Sequence, residues 1–283
     1  MTKPLSIEEL YQKAKDLRIQ TLRMITKANS GHTGSTMSLV EIVTALYYGG
    51  GRELGGGEEA GIRFDEGKED EKDYVILSKG HGAPTQYAAL ADLGYFDPDE
   101  LNHLRQVGAL LQGHPCTKIP GITLATGSLG QGFAAAHGLA LSLKLDKKPN
   151  NVFAVLGDGE LQEGIIWETA MSASHYMSDN LVAIIDNNKL QIDGSNKQVM
   201  NVEPIAAKFD SFGWSVLQVQ DGHSFEELLP AIERAKKTTR KPVCIWCHTI
   251  KGKGVPFAEN KVNYHGVALS EEELKAAEAD ICG

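Results

Sequence analysis

The sequence predicts a doubly wound α/β domain, a parallel sheet with helices on both faces. Three observations predict it. Short apolar runs at 74–77, 152–156, 181–186, 215–219 and 243–249 are rich in Val, Ile and Leu. Continuous apolar strands of that kind belong to sheets covered on both sides. Most of the runs lead into a loop with Gly or Asp and then a helical stretch, the alternation of βαβ units. No Pro/Ser-rich linker or internal repeat divides the 283 residues, so residues 1–283 read as a single domain.

The elements follow in order. Ser6-Ile7-Glu8-Glu9 is a capping-box pattern. Ile7, Leu10, Ala14, Leu17, Thr21 and Met24 then recur at helical spacing, and Gly31 stands where that helix stops. A second helix runs from Leu39 through Val43 to Tyr48. Residues 49–73 hold eight glycines, nine acidic and four basic residues, so this stretch carries -5 of the formal net charge of -9. It has no apolar period and is expected to be a flexible, solvated loop. A helix at about 160–177 is expected between the second and third runs, and a last helix near 270–281.

The acidic balance argues against nucleic acid or an anionic membrane surface as a partner. No apolar run approaches the ~20 residues of a membrane span. Glu8 and Glu9 follow Leu5 at once, so the N-terminus does not read as a signal peptide, and the expected location is the cytoplasm.

In doubly wound folds ligands sit at the carboxyl ends of the strands. After 152–156 comes Gly157-Asp158-Gly159-Glu160. Glycines allow a tight turn and close approach of a ligand, and the following helix turn offers free N–H groups to an anion. Asp158 in the middle of that turn would repel a pyrophosphate unless a cation lay between them. The next strand ends at Asp186-Asn187-Asn188, with Asn188 thirty residues after Asp158. Neighbouring parallel strands lie roughly 4.8 Å apart, which would bring Asp158 and Asn188 out side by side. One carboxylate, one amide oxygen and a backbone carbonyl suit Mg2+ better than Zn2+.

These residues resemble the thiamine diphosphate signature, and their neighbours are similar to the transketolase family. The resemblance runs through Asn29-Ser30-Gly31-His32, Ser78-Lys79-Gly80-His81-Gly82-Ala83-Pro84 and Gly113-His114-Pro115. It continues through Ala125-Thr126-Gly127-Ser128-Leu129-Gly130-Gln131-Gly132, Asp221-Gly222-His223, Lys251-Gly252-Lys253-Gly254 and His265-Gly266. The blocks cover nearly the whole chain in the family's order.

The resemblance implies roles. Asp158, Asn188 and the main-chain oxygen of Leu190 would hold Mg2+ on the diphosphate of thiamine diphosphate. Gly159 and Asn188 would touch the cofactor, with Lys79 and Glu160 from the same two blocks counted among its contacts. His81 and Lys251 would face its diphosphate, where donors offset negative charge. Gly127, Ser128 and Leu129 would line its aminopyrimidine, Gln191 and Ile192 complete that wall, and Ser35 adds a contact. His32, His114 and His265 would surround the reactive carbon and the donor hydroxyls, since histidine donates, accepts and moves protons near neutrality. Glu163 resembles the glutamate that links the two active sites of the family's dimer. Val255–Tyr264 is similar to the animal-like version of the family. His103, His137, His175 and His248 read as structural, and His223 as a turn residue.

Transketolases are much longer than this chain, and the resemblance covers only their N-terminal, diphosphate-binding half. It therefore implies either a piece of a longer chain or, as the native-looking terminal segment favours, a partner: a C-terminal subunit carrying the pyrimidine-binding domain, in a heterotetramer with two copies of each chain, acting on sugar phosphates. Other readings stay open: a thiamine enzyme acting on an unusual or sulfonated donor, a deoxyxylulose-phosphate synthase relative, or a cofactor-binding protein without catalysis. Lys79-Gly80-His81 favours a transketolase over the synthase. Asp158 disfavours a nicotinamide dehydrogenase.

Cys244-Ile245-Trp246-Cys247-His248 matches a haem-attachment or redox pattern. It lies in an expected strand, where residues three apart face opposite ways, so packed thiols are expected instead.

Overall fold

The structure, a computed structural model, describes residues 5–49 and 73–283. The loop expected at 49–73 lies outside the described residues except for its two ends.

Helix α1 spans Ile7–Lys27, and its capping box forms: the Glu9 N–H donates to Ser6 Oγ at 3.2 Å and the Ser6 N–H to Glu9 Oε2 at 2.7 Å. Its buried side carries Leu10, Ala14, Leu17, Thr21 and Met24 of the periodic set. A short helix α2 (Thr33–Met37) follows, and α3 occupies Val40–Tyr48. The sequence period had no room to reveal α2, whose single turn is buried throughout.

Strand β1 (Tyr74–Leu77) leads to α4 (Ala83–Asp92), and α5 (Gln131–Leu145) precedes β2 (Val152–Gly157). Helix α6 is Gly164–His175, shorter than the 160–177 expected, because residues 159–162 form a tighter turn that bends the chain away from β2. Then come β3 (Leu181–Asn187), a small hairpin of β4 (Leu190–Gln191) and β5 (Gly194–Ser195), α7 (Asn196–Val199) and α8 (Ile205–Ser211). Strand β6 (Ser215–Val219), α9 (Phe225–Lys237), β7 (Val243–His248) and α10 (Glu271–Cys282) complete the order.

The main sheet is parallel with order β1-β2-β3-β7-β6. Every residue of β2 and β3 is buried, as the unbroken apolar runs predict. The two strands are neighbours with Gly157 opposite Asp186, so the turns after them open at the same edge.

Alternation along the strands divides the interior into two cores. Phe153, Val155, Val182, Ile184, Ile245 and Cys247 pack with α1, α3, α4, α9 and α10. Ala154, Leu156, Ala183, Ile185 and Cys244 pack with α5, α6, α8 and Trp214. Cys244 and Cys247 thus face opposite sides, both free and fully buried, and burial pushes both thiols far above their ordinary range. Among the described residues no helix is long and apolar enough to cross a membrane.

Candidate functional site

The carboxyl ends of β1, β2, β3 and β7 converge with the turn before α2, where the fold predicts a ligand. At the centre, Asp186, the last residue but one of β3, has its carboxylate wholly buried. It accepts from Lys79 Nζ at 2.5 Å, Ser38 Oγ at 2.6 Å and the Thr249 hydroxyl. Burial pushes the Asp186 carboxyl up, but Lys79 and these donors outweigh it and hold it below its usual range. Sequence reasoning missed Asp186, Ser38 and Thr249. The available signal was a carboxylate closing an otherwise apolar strand, where burial demands a partner.

Asp158 sits beside this cluster, 2% exposed. It accepts from the Gly159 N–H at 2.7 Å and from the Lys189 N–H. With the Asn187 amide oriented so that its oxygen accepts from Trp246 Nε1 at 2.8 Å, its nitrogen donates to Asp158 Oδ2 at 3.0 Å. Burial, then the nearby charge of Asp186, raises the Asp158 carboxyl to about 6. A cation there would relieve both effects. Asn188 turns its nitrogen inward, 3.3 Å from Ser38 Oγ and 3.4 Å from Asp186 Oδ2, while its Oδ1 accepts from the Leu190 N–H at 3.2 Å. The amide oxygen therefore points away from the inner cluster and towards residue 190.

Lys251 gathers three of the expected residues. Its buried Nζ lies 3.0 Å from the Leu190 carbonyl oxygen, 3.3 Å from Ser35 Oγ and 2.8 Å from His265 Nδ1. Burial, helped by Lys79, lowers this amine to about 8. His32, His81 and His265 form a triangle with ring centres 5.1, 5.7 and 5.9 Å apart. Burial first, then neighbouring cations, lowers His32 to about 4 and His265 to about 3, and drops His81 well below its ordinary range. All three are thus neutral imidazoles near pH 7. His32 Nδ1 is buried and has no hydrogen-bond partner among the described residues.

His114 stands apart from the triangle and is exposed, its ring 3.4 Å from where a Cβ on Gly127 would lie. Burial and Arg105 lower it too. In the same loop, Leu129 is half-buried and Ser128 is exposed, its carbonyl accepting from the Gln131 N–H at 3.3 Å. Gln191 faces Gly159 and accepts from Gln162 Nε2 at 2.6 Å, and Ile192 is 67% exposed beside it. Glu163 is exposed at the start of α6, next to Gly130.

Lys79 and Glu160 are drawn inward. Lys79 is spent on Asp186 and on the Ser35 carbonyl at 3.1 Å. Glu160 accepts from Ser78 Oγ at 2.5 Å, the Gly130 N–H at 2.8 Å and the Gly157 N–H at 3.1 Å. Their charged groups tie the site's loops to the sheet. Of the histidines read as structural, His137 is buried against Ser178 Oγ at 3.2 Å and His248 meets Gln218 at 2.8 Å.

A parallel sheet with a buried carboxylate and amide at the ends of adjacent strands, near a cluster of neutral histidines, has its polar groups gathered where doubly wound α/β domains hold their ligands. The family model described as "Transketolase, thiamine diphosphate binding domain" matches residues 11–282, and the chain belongs to that family. It is 41% identical over 276 residues to a 6-deoxy-6-sulfo-D-fructose transketolase subunit of Clostridium sp. (strain MSTE9), covering 96% of each chain. It is 35% identical to an apulose-4-phosphate transketolase subunit of Phocaeicola vulgatus, covering 96% of this chain and 94% of that one. Human transketolase is 38% identical, but only 40% of its length is matched. Among solved structures, transketolase from Campylobacter jejuni superposes with a TM-score of 0.88 at 31% identity, over 98% of this chain and 43% of that one.

Proposed function

We propose that this chain is the N-terminal subunit of a two-subunit, thiamine diphosphate-dependent transketolase. With a C-terminal partner chain it would move a two-carbon ketol unit from a ketose phosphate to an aldose phosphate. The observation that carries the reading is the apposition of Asp158 and Asn188 at the ends of β2 and β3, with Lys251 across from them. The relatives named as subunits, matched nearly end to end, support the division into two chains. We further propose a heterotetramer with two copies of each chain, placed in the cytoplasm.

The donor set fits Mg2+. Asp158 brings a carboxylate whose raised pKa a cation would lower, Asn188 an amide oxygen, and Leu190 a carbonyl with a second lone pair beside the one Lys251 uses. Gly159 leaves room beside Gln191 for close approach, since a Cβ there would still stand 3.5 Å from Gln191 Cβ. Bound thiamine diphosphate would supply the electron sink for breaking and forming the carbon–carbon bond.

This chain's residues do the rest. Lys251 and His81 offset diphosphate charge. Ser35, Gly127, Ser128, Leu129, Gln191 and Ile192 line the cofactor. His32, His114 and His265 accept or return protons at the donor's hydroxyls while neutral. Glu163 faces the second active site of the assembly.

The test mixes the chain with a candidate partner and measures two-carbon transfer with thiamine diphosphate and Mg2+. Turnover is expected only in the mixture, and Asp158→Asn should abolish it. Turnover by the chain alone, or undiminished activity of Asp158→Asn, would overturn the reading. The names of the two relatives favour a second reading of the donor, a sulfonated ketose or apulose phosphate. Offering these beside ordinary ketose phosphates in the same assay decides between them.

A further inference from the structure

Behind the Lys251 turn lies a second buried polar cluster that the proposed chemistry does not use. Arg18 on α1 donates from Nη2 to Glu41 Oε1 on α3 at 2.6 Å. His223, in the loop between β6 and α9, meets Glu41 Oε2 through Nδ1 at 2.8 Å. The main-chain N–H of Ile250 donates to His223 Nε2 at 2.9 Å. Because Nε2 accepts, the ring proton is on Nδ1 and is donated to Glu41. All three side chains are buried.

The cluster holds both ends of the turn that carries Lys251. His223 fixes its start at Ile250. Arg18 Nε donates to the Lys253 carbonyl at 3.0 Å and fixes its end. Gly254 (φ +83°) lies so close over Arg18 that a Cβ there would come within 2.7 Å of Arg18 Cδ. Between these anchors the Gly252 N–H donates to the Gly34 carbonyl at 3.0 Å. A lysine ammonium on a four-carbon stem goes where its backbone sends it only if that backbone is held.

We propose that His223, oriented by Glu41 and Arg18, is a positioning residue that sets the Ile250–Gly254 turn and thereby aims the Lys251 ammonium at the Leu190 oxygen and the diphosphate site. The identity of the diphosphate rests on the function proposed above; the placement of Lys251 does not. A motif that reads as a simple turn, Asp221-Gly222-His223, thus acquires a task. The lone charge at Glu41 inside an apolar helix, Val40-Glu41-Ile42-Val43, is the counterpart that keeps its imidazole in one tautomer.

The test uses the full chain and an amine-acetylating reagent, with labelling of each lysine followed by mass spectrometry. Lys79 is the internal reference, since it is as buried as Lys251 and lies off the turn. His223→Ala is expected to raise Lys251 labelling at least about fivefold while Lys79 stays unchanged. His223→Gln keeps an acceptor near the Nε2 position and should stay within about twofold of the unsubstituted chain. Should His223→Ala fail to fold, Gly254→Ala displaces the same turn through Arg18 and carries the same expectation. Unchanged Lys251 labelling, or Lys79 rising in step with it, would overturn the proposal. So would His223→Gln labelling as strongly as His223→Ala. Thiamine diphosphate with Mg2+ should protect Lys251 in the unsubstituted chain. Failure of that protection alone counts against the proposed function and leaves the contrast between variants to decide the positioning.

Discussion

Lys79 and Asp186 meet at 2.5 Å, 107 residues apart in the chain, with neither side chain open to solvent. Removing one partner of such a pair leaves an uncompensated buried charge, which costs about 3–5 kcal/mol. Lys79→Met is therefore expected to lower unfolding stability by about that much in a urea titration. A double variant with Asp186→Leu should recover a large part of the loss, because no charge is then stranded. A neutral Lys79→Met would mean that the amine is available to a ligand instead.

Glu160 joins three segments through its carboxylate, which accepts from Ser78, Gly130 and Gly157. Glu160→Gln keeps the shape but turns an NH2 towards donors. About 2–3 kcal/mol of destabilisation follows, on the scale of one charged hydrogen bond with an unsatisfied donor left behind. Amide exchange at Gly130 should quicken with it. Unaltered exchange at Gly130 would show that the loop is held by something else.

Burial, with Arg105 and His114 nearby, lowers His32 to about 4. A histidine depressed in this way takes up its proton more readily in the unfolded chain than in the fold. Unfolding stability is thus expected to fall as pH drops from about 6.5 towards about 4. Imidazole chemical shifts should show His32 neutral at about pH 5.5. The acid slope of stability should be shallower in His32→Asn. An imidazolium at that pH would contradict the environment described here.

Gly130 starts α5 with φ +81°, and a Cβ there would come within 2.4 Å of Ile165 Cγ2. Gly130→Ala is expected to cost about 1–2 kcal/mol in backbone strain alone, and more from the clash. Pairing it with Ile165→Ala should relieve the steric share and leave the backbone share, a difference that thermal unfolding resolves. Full recovery in the pair would show that the left-handed backbone carries no strain.

Much of the fold was legible because its signals are local. The capping box at Ser6, the five apolar runs and the glycines around Asp158 act over a few residues, and the strands appear within a residue or so of the expected bounds. The opposite facing of Cys244 and Cys247 follows from period two alone, and the two cores bear it out. Helix α2 was missed because one buried turn has no period. The start of α6 was misplaced because residues 159–162 take a tighter turn before it.

The site divides in the same way. By itself the sequence determined which residue types stand at the strand ends: Asp158, Asn188, Lys251 and the histidines in their glycine-bounded turns. Only the tertiary structure decided how they combine. Sheet order brings β7 beside β3, so Thr249 reaches Asp186 and Lys251 reaches Leu190. Desolvation then sorts the charges. Lys79 and Glu160 bind inward because a buried charge must find its partner, while burial and then neighbouring cations keep His32, His81 and His265 neutral. Spacing along a chain cannot carry that information, since it depends on what surrounds each group after folding.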